Sequence, residues 1–182
     1  MQTEIFIAGF GGQGVLFAGQ LLAYAAMDEG REVTWIPSYG PEMRGGTANC
    51  TVVIADEEIG SPLVRHPQAF IVLNLPSLGK YEGMVKTGGV AVIDSSIVNR
   101  KAARDDIKSI LIPGNQIAEE LGDRRMTNMV LIGGLLAYLP VLPLEAVGRA
   151  LETHLPARHL RLLPMNLQAL RRGAEYAALQ IH

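Results

Sequence analysis

Along the chain, short continuous apolar runs take turns with longer stretches in which apolar residues recur at helical spacing, and this order predicts a layered α/β domain. Ile5 to Ala8 has the length and composition of a buried strand, and the apolar run from Val15 to about Asp28 reads as the first helix, closed at Gly30 where a left-handed cap fits. Val33 to Ile36 is a second strand. Thr47 to Ala55 is a third, with Ala48, Cys50, Val52 and Ile54 alternating onto one face. Asp56-Glu57-Glu58 reads as a turn into a short strand at Ile59; strands so closely connected are antiparallel, which would make the sheet mixed. Ala69 to Leu75 and Val90 to Asp94 are continuous apolar runs, the mark of central parallel strands, joined by helical material from Pro76 to Lys86. Ile107 to Ile112 is a further strand. Helices are expected over Asn115 to Leu121, Asn128 to Leu139, Pro143 to His154 and about Asn166 to Leu179, the last with Leu167, Leu170, Ala174 and Ala177 inward and Arg171 and Arg172 outward.

Together these elements predict one domain over residues 1–182, a Rossmann-like three-layer fold with a mainly parallel, mixed central sheet and its first strand in the middle. The helices at Val15 and Asn128 are apolar nearly all round. Each must therefore be buried on two sides, either in the centre of the layered domain or under a partner.

The first strand empties into a glycine turn, Gly9-Phe-Gly-Gly-Gln-Gly14. Gly9, Gly11 and Gly14 satisfy G-x-G-x-x-G, in which a tight turn, close approach of a ligand and close helix packing each require the absence of Cβ. The free N–H groups of the following helix would face whatever occupies the turn. A nicotinamide site also needs an acidic residue at the end of the second strand, and none stands there. Gly9, Gly11, Gly12, Gln13 and Gly14 then either shape the backbone alone or meet a phosphate-bearing ligand or another protein chain.

Pro37 to Ala48 is the most unusual stretch, rich in proline and glycine and carrying one each of Tyr, Glu and Arg. Proline fixes φ and glycine permits φ > 0, so this is a shaped loop. It leaves the carboxyl end of the second strand beside the glycine turn, where ligands of open α/β sheets collect. Ser38, Tyr39, Glu42, Arg44, Gly45 and Gly46 are its candidate contacts, with Glu42 and Arg44 as a solvated surface pair the plain alternative. Asn74 and Asp94, each at a strand's carboxyl end, are read as helix caps in preference to ligand contacts.

Bulk composition removes several classes. A net charge of −2, with no run of like charges, gives no basis for a nucleic-acid or membrane-surface partner. The longest apolar stretch, Met129 to Leu139, is too short to span a bilayer, and no basic segment precedes an apolar one at the N-terminus, so a cytoplasmic protein is expected. Cys50, the only cysteine, excludes an internal disulfide or a cysteine-held metal or iron–sulfur site within the chain and is expected to be a buried thiol. The four histidines show no metal-ligand spacing and are expected at the solvent surface.

No catalytic device assembles from these residues: there is no Ser-His-Asp spacing, no H-x-x-x-H, no phosphate-loop Lys after the glycines and no Cys beside a base. What the sequence does carry is two motifs in tandem, Gly9-Phe-Gly-Gly-Gln-Gly-Val15 and Ser38-Tyr-Gly-Pro-Glu-Met-Arg-Gly-Gly46. In these it resembles the gamma subunit of the 2-oxoacid:ferredoxin (acceptor) oxidoreductases, and the likeness extends more loosely over Asp94-Ser95, Asn128 to Leu139 and Asn166 to Ala177. The resemblance implies a subunit, inactive alone, of a complex that decarboxylates a 2-oxoacid on thiamine diphosphate, passes electrons through iron–sulfur clusters to ferredoxin and releases an acyl-CoA. It implies that thiamine diphosphate, Mg²⁺ and the clusters are held by other chains, with alpha and beta subunits as partners and in some complexes a ferredoxin-like delta subunit. The indolepyruvate enzymes share this type of subunit. The alternative from another class is a free-standing CoA- or nucleotide-binding module.

Overall fold

The computed structural model describes residues 1–38 and 46–181. The first strand, β1 (Gln2–Phe10), is followed by α1 (Val15–Asp28), β2 (Glu32–Ser38), β3 (Thr47–Ala55), β4 (Ala69–Val72), α2 (Leu75–Tyr81), β5 (Val90–Asp94), β6 (Lys108–Ile112), α3 (Gly114–Glu120), α4 (Thr127–Tyr138), α5 (Leu144–His154) and α6 (Leu163–Ala178). The strands form a 6-stranded sheet in the order β2-β3-β1-β4-β5-β6. β1, β4, β5 and β6 pair in parallel, whereas β3 runs antiparallel to both β1 and β2. Strand one is central, as its unbroken apolar run requires.

The sheet is mixed for a different reason from the one the sequence suggests. No strand forms at Ile59: residues 56–68 carry no strand, and β3 finds its antiparallel partners in β1 and β2, with Ile5 opposite Val52 and Trp35 opposite Val52. Pro62 and Pro67 in that stretch lack the N–H groups that a strand would need.

Alternation along the strands sends two sets of side chains to opposite faces. On one face Ile5, Ile7, Cys50, Val52, Ile54, Ile71, Val92, Ile110 and Ile112 join residues of α1, α3, α4, α5 and α6 in the larger core. On the other, Phe6, Ala8, Phe70, Val72, Ala91 and Ile93 meet Leu78, Val85, Val98, Ala102 and Ile107. Cys50 is wholly buried, as expected of a structural thiol; burial pushes its pKa up to about 12, with the Trp35 indole N–H and the Gly19 backbone opposing that shift.

The two over-apolar helices lie in the centre of the layers, covered by the chain's own elements. Every residue of α4 from Thr127 to Leu136 is buried, and α6 crosses it so closely that a Cβ on Gly133 would overlap the Leu170 carbonyl oxygen and one on Gly173 the Val130 carbonyl oxygen. α1 ends as its sequence predicts: Gly30 has φ 72°, its N–H donates to Met27 O at 2.9 Å, and the Arg31 N–H donates to Ala26 O at 2.9 Å, a paired closure of the last turn. At the β6 edge the Gln180 side chain takes the place of a further strand, accepting from the Leu111 N–H at 3.2 Å and donating to Leu111 O at 2.6 Å.

Candidate functional site

The glycine turn sits at the carboxyl end of β1, next to β4. From this point α1 leaves over the larger core and returns to β2, while α2 leaves β4 over the opposite face. The chain thus diverges on either side of the β1–β4 crevice, the place where open α/β sheets bind their ligands.

The turn is held from within. Gln13 Oε1 accepts the Phe10 N–H at 2.6 Å and Gln13 Nε2 donates to Leu73 O at 2.9 Å, so this one side chain ties the end of β1 to the residue following β4. The Gln13 N–H donates to Phe10 O at 3.2 Å and the Gly11 N–H to Gly46 O at 3.3 Å. Asn128, at the start of α4, donates from Nδ2 to Gly14 O at 3.1 Å. Gly12 and Gly14 take φ 92° and 73°, a region costly for any residue with a Cβ. A Cβ on Gly9 would stand 2.6 Å from Gln13 Oε1 and 2.7 Å from Leu73 Cβ, but one on Gly12 would meet nothing within 4 Å. Among the described residues the N–H groups of Gly12, Gly14, Val15 and Leu16 find no acceptor. They form the positive start of α1, and of these residues Gly12 is exposed.

Two cavities meet at this turn. The first, about 390 Å³, is lined by Gly11, Gly12, Gln13, Leu73, Asn115, Arg124, Arg125 and Thr127. The second, about 380 Å³ and more apolar, shares Gly12 and Arg125 with it and runs past Phe17, Leu155 and Leu162 to His159 and Asn166. Arg124 and Arg125 come from a 3-10 turn (Arg124–Met126) that leads directly into α4. Asp123 accepts from Arg125 Nε at 3.0 Å and from its Nη2 at 2.6 Å, which fixes the guanidinium and draws the Asp123 carboxyl below its usual range. Around the same rim Phe10 and Leu75 are each 40% exposed and Phe17 37%, large apolar groups left in water beside the turn.

The structure thus gathers part of what the sequence proposes. Gly9, Gly11, Gly12, Gln13 and Gly14 form one turn. Ser38 ends β2 opposite Asn49, and Gly46 reaches the glycine turn through its carbonyl oxygen. Tyr39, Glu42, Arg44 and Gly45 lie outside the described residues. Asn74 is the cap it was read to be, its Oδ1 accepting the Ser77 N–H at 2.8 Å to start α2. Asp94 is buried and caps a different helix: its Oδ1 accepts the N–H groups of Ser96 at 3.1 Å, Gly114 at 2.9 Å and Asn115 at 3.3 Å. Burial raises its carboxyl pKa, with those donors opposing the shift. His154 is exposed, as expected, and at the surface its ring stacks on Tyr24 with centroids 4.2 Å apart while its Nε2 lies 2.9 Å from Asp28 Oδ2, bridging α5 to α1.

Sequence reasoning missed Arg124, Arg125, Asn115 and Thr127. For Asn115 the signal available was its place at the start of the helix that follows the last parallel strand, the ligand-binding end of the sheet; Arg124, Arg125 and Thr127 follow a helix and are brought there only by the packing of the turn Arg124–Met126.

Comparison with known proteins fits this geometry. The family described as pyruvate ferredoxin/flavodoxin oxidoreductase matches residues 4–176. The ketoisovalerate oxidoreductase subunit VorA of Methanothermobacter thermautotrophicus is 39% identical over 177 residues, 97% of this chain but 36% of its own length, so the chain spans about a third of that relative. The 2-oxoglutarate synthase subunit KorC of Methanocaldococcus jannaschii is 34% identical over 180 residues, covering 97% of this chain and 95% of its own. Among solved structures, the keto/oxoacid ferredoxin oxidoreductase gamma subunit from Geobacter sulfurreducens superposes with a TM-score of 0.84 at 28% identity, over 97% of this chain and 99% of that one.

Proposed function

Since the chain belongs to the pyruvate ferredoxin/flavodoxin oxidoreductase family, we propose that it serves as the gamma-type subunit of a 2-oxoacid:ferredoxin oxidoreductase, a complex that oxidatively decarboxylates a 2-oxoacid, passes the electrons to ferredoxin and releases an acyl-CoA. The observation that carries this reading is the match to a separate subunit almost end to end: the chain covers 95% of the Methanocaldococcus KorC subunit. The domain also matches a third of the longer VorA chain, as expected of a module that works against the same neighbours whether joined to them or not.

In this reading alpha and beta subunits hold the thiamine diphosphate, Mg²⁺ and iron–sulfur clusters, and a cytoplasmic complex is expected. The chemistry of this chain's own donors supports that division. A cluster needs several accessible thiolates, and this chain has one cysteine, wholly buried and pushed to about 12. The chain's contribution is therefore a shaped surface. The glycine turn, the Ser38–Gly46 loop and the exposed Phe10, Phe17 and Leu75 face the active centre or the partner chains, where the apolar rim is removed from water.

Copurification from native cells tests the proposal. Two larger chains and the brown colour of iron–sulfur clusters should accompany this one, and a lone colourless monomer overturns the reading. A free-standing CoA- or nucleotide-binding module is the second reading, favoured by the arginine-lined cavity at the turn. It predicts that lone monomer, stabilised by added CoA or dinucleotide.

A further inference from the structure

We infer that the end of the sheet opposite the glycine turn carries a docking surface for an acidic segment of a partner protein. There, at the amino ends of β1, β4 and β5, lies a wide cavity of about 720 Å³ whose lining includes Glu4, Leu63, Arg65, His66, Lys86 and Arg104. Two irregular stretches form its walls, and backbone bonds hold them in place: the Gln68 N–H donates to Glu4 O at 2.9 Å and the Lys86 N–H to Pro67 O at 2.9 Å. Arg104 braces the second stretch. It donates from Nε to Asp106 Oδ1 at 2.8 Å and from Nη1 to the carbonyl oxygens of Glu82 at 3.0 Å and Val85 at 2.6 Å, so its charge and donors are engaged within the chain. His66 is held likewise, its Nδ1 donating to Met84 O at 3.3 Å.

Arg65 and Lys86 differ from these. Both are exposed in the lining, and among the described residues neither meets a carboxylate. Glu4 is the only carboxylate in the lining, and it already accepts from Gln2 Nε2 at 3.0 Å. With Asp106 balancing Arg104, two cations stand unmatched against that one carboxylate, on a chain whose net charge is −2. The positive sign is therefore a property of this surface and not of the molecule, and the complementary surface is negative. Leu63 stands among them with 76% of its surface exposed, on a stretch whose shape Pro62 and Pro67 constrain. An uncovered leucine beside unpaired cations matches an interface with an apolar centre and a charged rim. A protein segment with carboxylates around an apolar side chain fits it. A nucleic acid fits less well, because it calls for stacking aromatics and a run of cations, and this lining has no Phe, Tyr or Trp and includes Glu4.

The surface lies across the sheet from the glycine turn and does not depend on the subunit role. Fluorescence anisotropy of the full chain, with a labelled peptide in which glutamates flank a leucine, tests it. That peptide should bind, more weakly as salt is added, and its counterpart with glutamine at every glutamate should not. Arg65→Glu and Lys86→Glu, both exposed substitutions, should each weaken binding by about tenfold. Glu4→Gln, which removes the one opposing charge, should tighten it, and Lys101→Glu, at an exposed cation outside the cavity, should leave it unchanged. Absence of binding by the glutamate peptide overturns the inference, as does an equal loss in Lys101→Glu, which would show a response to net charge alone. A single-stranded oligonucleotide binding tighter than the peptide also overturns it, in favour of a nucleic acid. A lone monomer on copurification that still binds the peptide keeps this surface while removing the subunit proposal.

Discussion

Glycines serve opposite purposes in the α4–α6 crossing and in the turn after β1. At the crossing, Gly133 and Gly173 face the backbone of the other helix, and each absent Cβ is replaced by a carbonyl oxygen in contact. Neither has a positive φ; what they supply is distance. In the turn, Gly12 has φ 92° and nothing within 4 Å of where its Cβ would be. Conformation is supplied there, and the space is left open. Glycines that lie against backbone are fixed by packing, whereas Gly12 is fixed by the left-handed backbone its turn requires.

The sharpest way to break this comparison is Gly173→Ala. The added methyl meets the Val130 carbonyl and must separate two helices, so a loss of roughly 3 kcal/mol is expected, read as a lower unfolding midpoint in calorimetry. A midpoint within a degree of the parent would mean that the helices can part freely and that the crossing is not packing-limited.

A second close approach can be probed by pH. Gly19 of α1 lies against Cys50 of β3, in the same packing-limited category. The thiol titrates at about 12 in the folded chain against an ordinary 9.0, so the folded state holds its proton more tightly. The stability this represents is fully present below pH 9.0 and is lost as pH rises toward 12, at about 1.4 kcal/mol per pH unit. Chemical denaturation across that range should show the slope, and Cys50→Ala should remove it.

At the turn, Gly12→Ala should cost only about 1 to 2 kcal/mol, the penalty of a left-handed alanine, because no neighbour has to move. Its larger effect belongs to recognition: assembly with partner chains should be lost while the unfolding midpoint falls by only a few degrees. Equal losses of stability and binding would erase the distinction between the two regions. Gln13→Ala gives the smallest change in stability, about 1 kcal/mol, through loss of its bonds to Phe10 and Leu73. Faster hydrogen exchange confined to residues 9 to 14 would show that Gln13 keeps the turn rigid.

The strands and helices were legible in the residues because their patterns are local. Continuous apolar runs placed β4 and β5, alternation placed β3, and Gly30 ended α1. The mixed sheet was anticipated with the wrong partner, since periodicity reveals a strand but not what lies beside it; the prolines of residues 56–68 ruled out a neighbour at Ile59, and β1 and β2 took its place. Likewise, an all-round apolar α4 said that two sides are covered, and only the packed chain showed α6 to be the cover.

The site divides in the same way. The glycine turn could be read from its own sequence because the need for missing Cβ atoms is imposed within a few residues. That Gln13 faces inward onto Leu73, 60 positions away, that Asp94 caps α3, 20 positions on, and that Asn115 and Arg125 share a cavity with Gly12, about a hundred positions away, depends on residues well separated along the chain. Such contacts follow from strand order and helix placement, which minimise exposed apolar surface over the whole chain and leave no trace in any short stretch of it.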